Sequence, residues 1–212
     1  GVATRVLDLA AQPQTVAQSA RQIASEGTRG VGVYAISQMT SRVAELVEAV
    51  KRELPATKVV VGGPGYSGRD QFLAAGADGV MRGEADGTIL QVVRFMDGDL
   101  TASAVPGLAH LADDRLVENP PAPPITDLDS LPFPDVDAIA VAAYRDRLNL
   151  VSSRPYFTVQ ASRGCPFRCG FCFSGNCGYM PYRSRSPENV LDELIFLVEK
   201  RFSGLETRAR GK

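Results

Sequence analysis

The sequence predicts an α/β chain: a doubly wound parallel sheet, then the first strand, loop and helix of a second α/β layer. Three features carry that expectation. Strand-like apolar runs alternate with stretches of helical period as far as residue 96. Six of the 14 prolines then crowd between positions 120 and 134, where neither a central strand nor a helix interior tolerates them. Beyond them come a strand-like run, a cysteine-rich loop and a capped helix, the order of the opening unit of a (β/α) barrel.

The elements follow in order. Arg5-Val6-Leu7-Asp8-Leu9 reads as a short strand, and Thr15 to Glu26 sets Val16, Ala20, Ile23 and Ala24 on one helical face. Val31 to Ile36 is apolar enough for a strand buried on both sides. Thr40 or Ser41 caps a helix that carries Val43, Leu46, Val47, Val50 and Leu54 at helical spacing, with Pro55 just beyond it. Lys58 to Val61 is a strand running into Gly62-Gly63-Pro64-Gly65. A short helix (Asp70 to Ala75), a brief strand (Gly79-Val80-Met81), the turn Gly83 to Asp86 and a helix from Thr88 to Met96 complete a first domain placed at 1–103. Residues 104–150 hold a hairpin, Leu108 to Leu111 and Arg115 to Val117 around Asp113-Asp114, and the proline-rich connector that starts at Asn119. The last domain, 151–212, opens with a strand at Tyr156 to Gln160. After the cysteine loop, Ser186 caps and Pro187 starts a helix whose apolar face is Val190, Leu191, Leu194, Ile195 and Val198.

Charge narrows the partners. With 23 basic against 24 acidic residues there is no net positive field to hold a nucleic-acid backbone or an anionic membrane, and neither is expected as a partner. No apolar run is long enough to span a bilayer, and the first residues lack the order of a signal peptide, so a soluble cytoplasmic protein is the expectation. All four cysteines fall between positions 165 and 177, and the only histidine is His110. A disulfide framework spreads its cysteines to staple distant segments, whereas four in one short loop point to a metal site in a reducing compartment.

Arg163-Gly164-Cys165-Pro166-Phe167-Arg168-Cys169-Gly170-Phe171-Cys172 spaces three thiols as C-x3-C-x2-C, and Cys177 follows. Thiolates suit iron–sulfur clusters and zinc. Three on one loop can hold three irons of a [4Fe–4S] cube and leave the fourth open, as a catalytic metal requires. Gly164 and Gly170 relax the backbone so that the thiols can converge, and Phe171 would shield a cluster from water. A four-cysteine zinc knuckle with Cys177 as fourth ligand is the competing reading.

This segment, with an aromatic residue immediately before its third cysteine, resembles the cluster-binding motif of the radical S-adenosylmethionine enzymes. Tyr182-Arg183-Ser184-Arg185-Ser186-Pro187-Glu188-Asn189-Val190, leading into an acidic amphipathic helix, is similar to the same family. Upstream, Val59-Val60-Val61-Gly62-Gly63-Pro64, Gly76-Ala77-Asp78-Gly79-Val80, Arg82-Gly83-Glu84 and Leu131-Pro132-Phe133-Pro134-Asp135 resemble the Rossmann-like cobalamin-binding domain that precedes the barrel in cobalamin-dependent members. The resemblance implies that Cys165, Cys169 and Cys172 ligate the cluster, whose fourth iron takes the amino and carboxylate groups of S-adenosylmethionine. It implies reductive cleavage to a 5′-deoxyadenosyl radical. Cobalamin would carry a methyl group to an unactivated carbon, or serve a related ring-forming reaction, on a small-molecule substrate. Electrons would come from an external donor such as flavodoxin or ferredoxin. By the same resemblance Arg5 to Leu9 is the second strand of the sheet. Its central first strand, with the D-x-H-x-x-G loop that brings a cobalt-binding histidine in some cobalamin proteins, lies outside the sequence. So do the barrel strands beyond Phe202-Ser203-Gly204. The chain therefore reads as a fragment, and a non-catalytic module that holds an iron–sulfur cluster or zinc is the alternative.

Smaller signals carry two readings each. Gly62, Gly63 and Gly65 would let the backbone approach the cobalamin nucleotide tail, or would simply make a tight strand-to-helix turn. Ser37, Gln38, Met39 and Thr40 share that rim, where hydroxyl and amide groups can hydrogen-bond the corrin amides; Thr40 is equally a helix cap. Glu84 is a rim contact or a solvated turn residue. Arg183 and Arg185 read as a solvated face, His110 as an ordinary strand residue, and Cys177 as lying outside the ligand set.

Overall fold

The computed structural model describes residues 2–138, 158–167, 169–172 and 180–202, grouped in two compact units. One unit joins Gln14–Ile125 with Phe167–Met180; the other joins Gly1–Pro13, Thr126–Pro166 and Pro181–Lys212.

In the first unit, β1 (Gly30–Tyr34), β2 (Lys58–Gly62) and β3 (Gly79–Met81) run parallel in that order, and β4 (Leu108–Ala112) and β5 (Arg115–Glu118) continue the sheet antiparallel. With α1 (Val16–Ser25), α2 (Thr40–Glu53), α3 (Arg69–Ala74) and α4 (Ile89–Asp97) between or before the strands, this is a mixed, Rossmann-like α/β sheet. The hairpin foreseen beside the linker is thus its antiparallel edge. Asp113 and Asp114 both take positive φ (47° and 59°), the tight turn whose twist matches antiparallel strands.

Local chemistry sets the helix ends. Thr15 and Gln18 form a reciprocal capping box on α1. Gly98, left-handed at φ 87°, ends α4. Thr40 does not cap α2: it is already helical, and its hydroxyl donates to the Ser37 carbonyl at 2.8 Å. A 3-10 turn, Ser37–Met39, feeds directly into the helix and supplies acceptors for its first N–H groups, so no side-chain cap is needed. The core lies on both faces of β2. Val60, Met81, Val92, Phe95, Val105 and Leu108 form one buried cluster under α4, while Val59, Val61, Val47, Val50 and Phe72 are buried elsewhere in the unit. Burial of each such side chain stabilises the fold by about 1.5–3 kcal/mol.

Two strand expectations are corrected. Arg5–Leu9 forms no strand; the Asp8 carboxylate instead accepts the N–H groups of Ala10 and Ala11 in a turn, since no neighbouring strand among the described residues offers it a ladder. β1 is not buried on both sides: Val31 is buried, but Gly32 and Tyr34 are exposed, because β1 is the sheet's edge rather than its centre.

In the second unit, β6 (Ser162–Arg163) pairs antiparallel with β7 (Arg183–Ser184), and α5 (Pro187–Leu197) follows. Thr158 to Gln160 join no ladder, against the strand expected there, because the nearest paired backbone begins two residues later; Tyr156 and Phe157 lie outside the described residues. Ser186 caps α5, accepting from the Asn189 N–H at 3.1 Å, with Pro187 at its first position. The buried face differs from the apolar stripe read from sequence. Leu191, Leu194, Ile195 and Val198 are exposed, and Glu193 and Leu197 are buried.

The cause is Arg185, which is not the solvated residue its charge suggests. Its side chain is only 10% exposed and pairs with Glu193, 3% exposed. The same guanidinium donates to Asn189 Oδ1 (2.6 Å), the Asn189 carbonyl (3.0 Å) and the Gln160 carbonyl (3.2 Å), and lies 5.7 Å from the centre of the Phe133 ring. Arg183 is buried as well. Asp129 from the connector accepts the Ser186 N–H at 3.0 Å and 3.2 Å, and hydrogen bonding from the Ser186 side chain first, then from its backbone, holds the Asp129 carboxyl below the usual range.

Candidate functional site

Parallel strands end at one edge of a sheet, and the helices that follow begin there, so the loops after β1, β2 and β3 share a carboxyl rim. The rim gathers every α/β site residue expected from sequence. Ser37, Gln38 and Thr40 follow β1, Gly62 and Gly63 close β2, and Glu84 follows β3. Ser37 and Gln38 are exposed; Thr40, Gly62, Gly63 and Glu84 are half-buried.

Backbone hydrogen bonds lock the first two loops together. Ala35 N–H donates to the Gly62 carbonyl at 2.8 Å, and Gly65 N–H donates to the Ala35 carbonyl at 2.9 Å. Gly63 sits at φ 97°, and a side-chain carbon placed on it would lie 2.7 Å from the Ala35 oxygen and 2.8 Å from the Tyr34 ring. Only glycine fits there. Gly83, at φ 82° in the next loop, faces open space.

Behind the glycine loop, three side chains brace the turn Pro64–Gly68. The buried Tyr66 hydroxyl donates to the Glu118 carboxylate, and Arg69 Nε lies 3.1 Å from the same carboxylate, its guanidinium 5.3 Å from the Tyr66 ring centre. Burial first, and then the neighbouring Glu118, push the Tyr66 phenol up to about 12. Glu118 ends β5, so the hairpin holds the loop after β2 in place. Sequence reading missed this cluster, and no local signal marks it.

His110 is, as expected, a strand residue: it is buried in β4 opposite Val117, its Nδ1 3.3 Å from the Leu111 carbonyl.

On the cysteine loop, Cys165, Cys169 and Cys172 are exposed thiols, and Cys172 N–H donates to the Cys169 carbonyl at 3.0 Å. Gly164 takes positive φ (78°), as a tight loop requires. Phe171 is 94% exposed. Among the described residues no three His, Cys, Asp or Glu side chains are already drawn together as metal ligands. Cys177 lies outside the described residues. The donor set is nevertheless the soft, three-thiolate set that an iron–sulfur cluster takes, and the glycine-floored rim admits a large ligand close to backbone.

A sheet of this order with a glycine-lined carboxyl rim is a Rossmann-like α/β domain, a fold in which ligands lie at that rim. Residues 1–93 match the family model of the B12 binding domain. The chain is a relative of the cobalamin-dependent radical S-adenosylmethionine enzymes. It is 26% identical over 196 residues to an uncharacterised methyltransferase of Pyrococcus horikoshii, covering 91% of this chain and 42% of that protein. With the anaerobic magnesium-protoporphyrin IX monomethyl ester cyclase of Rubrivivax gelatinosus it shares 31% identity over 177 residues, 80% of this chain and 31% of the cyclase. The fold matches that of the radical S-adenosylmethionine methyltransferase TsrM of Kitasatospora setae, solved with cobalamin and a [4Fe–4S] cluster bound. There the TM-score is 0.69 at 18% identity, over 92% of this chain and 40% of that one. The chain spans less than half the length of each of these proteins. Among the described residues no helix is long and apolar enough to cross a membrane.

Proposed function

We propose that this chain is the cobalamin-binding region (1–103), connector (104–150) and opening of the radical S-adenosylmethionine region (151–212) of a cobalamin-dependent radical enzyme. The enzyme transfers a methyl group to an unactivated carbon of a small molecule, or closes a ring by related chemistry. One observation carries the reading: a B12 binding domain and three thiols spaced C-x3-C-x2-C stand on the same chain.

When bound, the cluster supplies the electron that cleaves S-adenosylmethionine, and cobalamin supplies a methyl carrier. The chain's own residues do the rest. Cys165, Cys169 and Cys172 would hold the iron–sulfur cluster, which would bind S-adenosylmethionine. Phe171, exposed beside Cys172, keeps water from the cluster. Gly62 and Gly63 admit the cofactor to the backbone, while Ser37 and Gln38 hydrogen-bond its amides from the exposed turn after β1. Thr40 orients that turn through the Ser37 carbonyl. Glu84 borders the rim from the β3 side. A flavodoxin- or ferredoxin-type donor in the cytoplasm would supply the electron, with no part for nucleic acid or membrane.

Anaerobic reconstitution with iron and sulfide tests this. The expected product is brown, with a reduced-state paramagnetic signal that S-adenosylmethionine perturbs. Alanine at Cys165, Cys169 or Cys172 is expected to abolish it, and Cys177→Ala to leave it intact. A colourless protein that binds zinc through all four cysteines would replace this reading with that of a non-catalytic module.

A further inference from the structure

The chain enters the cysteine loop through β6 and leaves it through β7. Those strands pair at only two registers, Ser162 with Ser184 and Arg163 with Arg183, in a sheet of two strands among the described residues. A ladder that short is marginal in water by itself. Cys165 nevertheless hangs from it directly, following Arg163 after the turn that Gly164 makes at φ 78°. Something beyond the ladder must therefore hold the two feet of the loop together.

Arg185 stands at that position. Its N–H donates to the Ala161 carbonyl at 2.9 Å, one step past the ladder, and its side chain turns back to the incoming foot, where Nη1 donates to the Gln160 carbonyl at 3.2 Å. The rest of the guanidinium faces α5. Nε donates to Asn189 Oδ1 at 2.6 Å, Nη2 to the Asn189 carbonyl at 3.0 Å, and Nη1 meets the Glu193 carboxylate. The Phe133 ring of the connector lies against the same group, 5.7 Å from its carbon. One planar, rigid fork thus joins the incoming foot, the outgoing foot and the helix that follows. A buried ion pair is weak evidence for a stabilising role, since apolar side chains of similar volume often serve the fold as well. Apolar side chains cannot, however, donate to the Gln160 carbonyl.

We infer that Arg185 is a positioning residue for the cysteine loop: it ties both feet of the loop to α5, so that Cys165 is presented from a fixed base when a cluster is taken up. The inference rests on the cluster reading above and adds the residue that prepares the chain for it. Fixing the ends of a loop beforehand removes part of the closure and ordering cost that binding otherwise meets. Glu193 and Asn189 hold the guanidinium in place, and the link that reaches the loop is the one to Gln160.

Two variants of the full chain separate positioning from folding. Arg185→Met with Glu193→Leu replaces the buried pair by apolar groups and removes the link to Gln160, so it should melt as wild type does and hold a cluster poorly. Glu193→Gln does the reverse: its amide oxygen still accepts from Arg185 and the link to Gln160 stays, so it should melt lower and hold the cluster as wild type does. Each protein is reconstituted anaerobically with iron and sulfide. The rate at which a ferrous-iron chelator bleaches the cluster absorbance is then measured at a temperature where circular dichroism shows every protein folded. The double variant should lose its cluster roughly ten- to hundred-fold faster than wild type, the range for residues that orient metal ligands without touching the metal. Its reduced-state paramagnetic signal should broaden as well. Where the double variant does not fold, Arg185→Lys, which keeps the charge opposite Glu193 and lacks the planar fork, takes its place with the same expectation. Wild-type retention in the folded variant overturns the inference and leaves the cluster reading standing, as does cluster loss that follows melting temperature across the set. Failure of the wild-type chain to take up a cluster overturns both.

Discussion

Removing the Tyr66 hydroxyl by Tyr66→Phe isolates the brace behind the glycine loop. Tyr66 is buried and donates to Glu118, and its phenol is held at about 12 against an ordinary value of 10.0. Below pH 10 the phenol is protonated in both the folded and the unfolded chain, so its contribution is complete. Between pH 10 and 12 the unfolded chain gives up the proton while the folded one keeps it, and stability falls with rising pH. Each unit is worth about 1.4 kcal/mol, so the total lost across the window is roughly 2–3 kcal/mol. At neutral pH the substitution itself costs about 1.5 kcal/mol, the low end for a hydrogen bond to a charged group. The low end applies because the Glu118 side chain is 41% exposed and keeps Arg69 as a partner. Urea unfolding of wild type and Tyr66→Phe, followed by circular dichroism at steps from neutral pH to pH 12, measures both numbers. Lysines and the other tyrosines titrate in the two proteins alike, so the difference between the curves belongs to Tyr66. The gap should narrow above pH 10 and reverse sign before pH 12, because the roughly 2–3 kcal/mol lost exceeds the about 1.5 kcal/mol present at neutral pH. Parallel curves through that window would refute the reasoning, as would a difference absorbance spectrum placing the Tyr66 titration at an ordinary phenol value.

Other contacts in the fold lead to further outcomes. Glu193→Gln leaves the buried Arg185 guanidinium without its counter-charge and should cost about 3–5 kcal/mol in thermal or urea unfolding, whereas Arg185→Met with Glu193→Leu should be near neutral. Gly63→Ala, with 2.7 Å to the Ala35 oxygen and φ 97°, should destabilise by well over the roughly 1 kcal/mol expected for Gly83→Ala, which meets strain in φ but open space. The Asp129 carboxyl is held low by Ser186, so its contribution is present above the usual carboxylate value and is lost as pH falls through the folded one. Asp129→Asn should flatten that acid limb of the melting curve, and an unchanged limb would contradict the assignment.

What was readable from sequence depended on how far away the deciding partner lies. The turn at Gly63 was legible because the reason for it is local: a parallel strand ends at Gly62 and the chain then turns at positive φ. The Ser186–Pro187 helix start and the Asp113–Asp114 turn were legible for the same reason. Glu193 was not, since a carboxylate in an amphipathic helix reads as solvent-facing until Arg185 is seen folded onto it, held by Gln160 and Phe133. Tyr66 and Glu118 are 52 residues apart, and nothing near either one marks the pair. β1 shows a third kind of failure. Its Gly-x-Gly-x-Tyr alternation was present, but an apolar run reads as doubly buried only if the strand is central, and whether a strand is central is a property of its neighbours.

That distinction bears on function. The rim after β1 and β2 is preorganised by backbone hydrogen bonds and by a distant brace, so its polar residues need not move far to meet a large ligand. The three cysteines are exposed thiols on one short stretch of chain. Cobalamin binding should therefore be the more robust of the two capacities of this chain. Cluster assembly must bring iron, sulfide and three deprotonated thiolates together, so it depends on the conditions of loading. Hydroxocobalamin should be retained by protein refolded without iron, whereas the cluster signal should depend strongly on how reconstitution is carried out. The opposite dependence would mean that the loop, and not the sheet, is the preformed element.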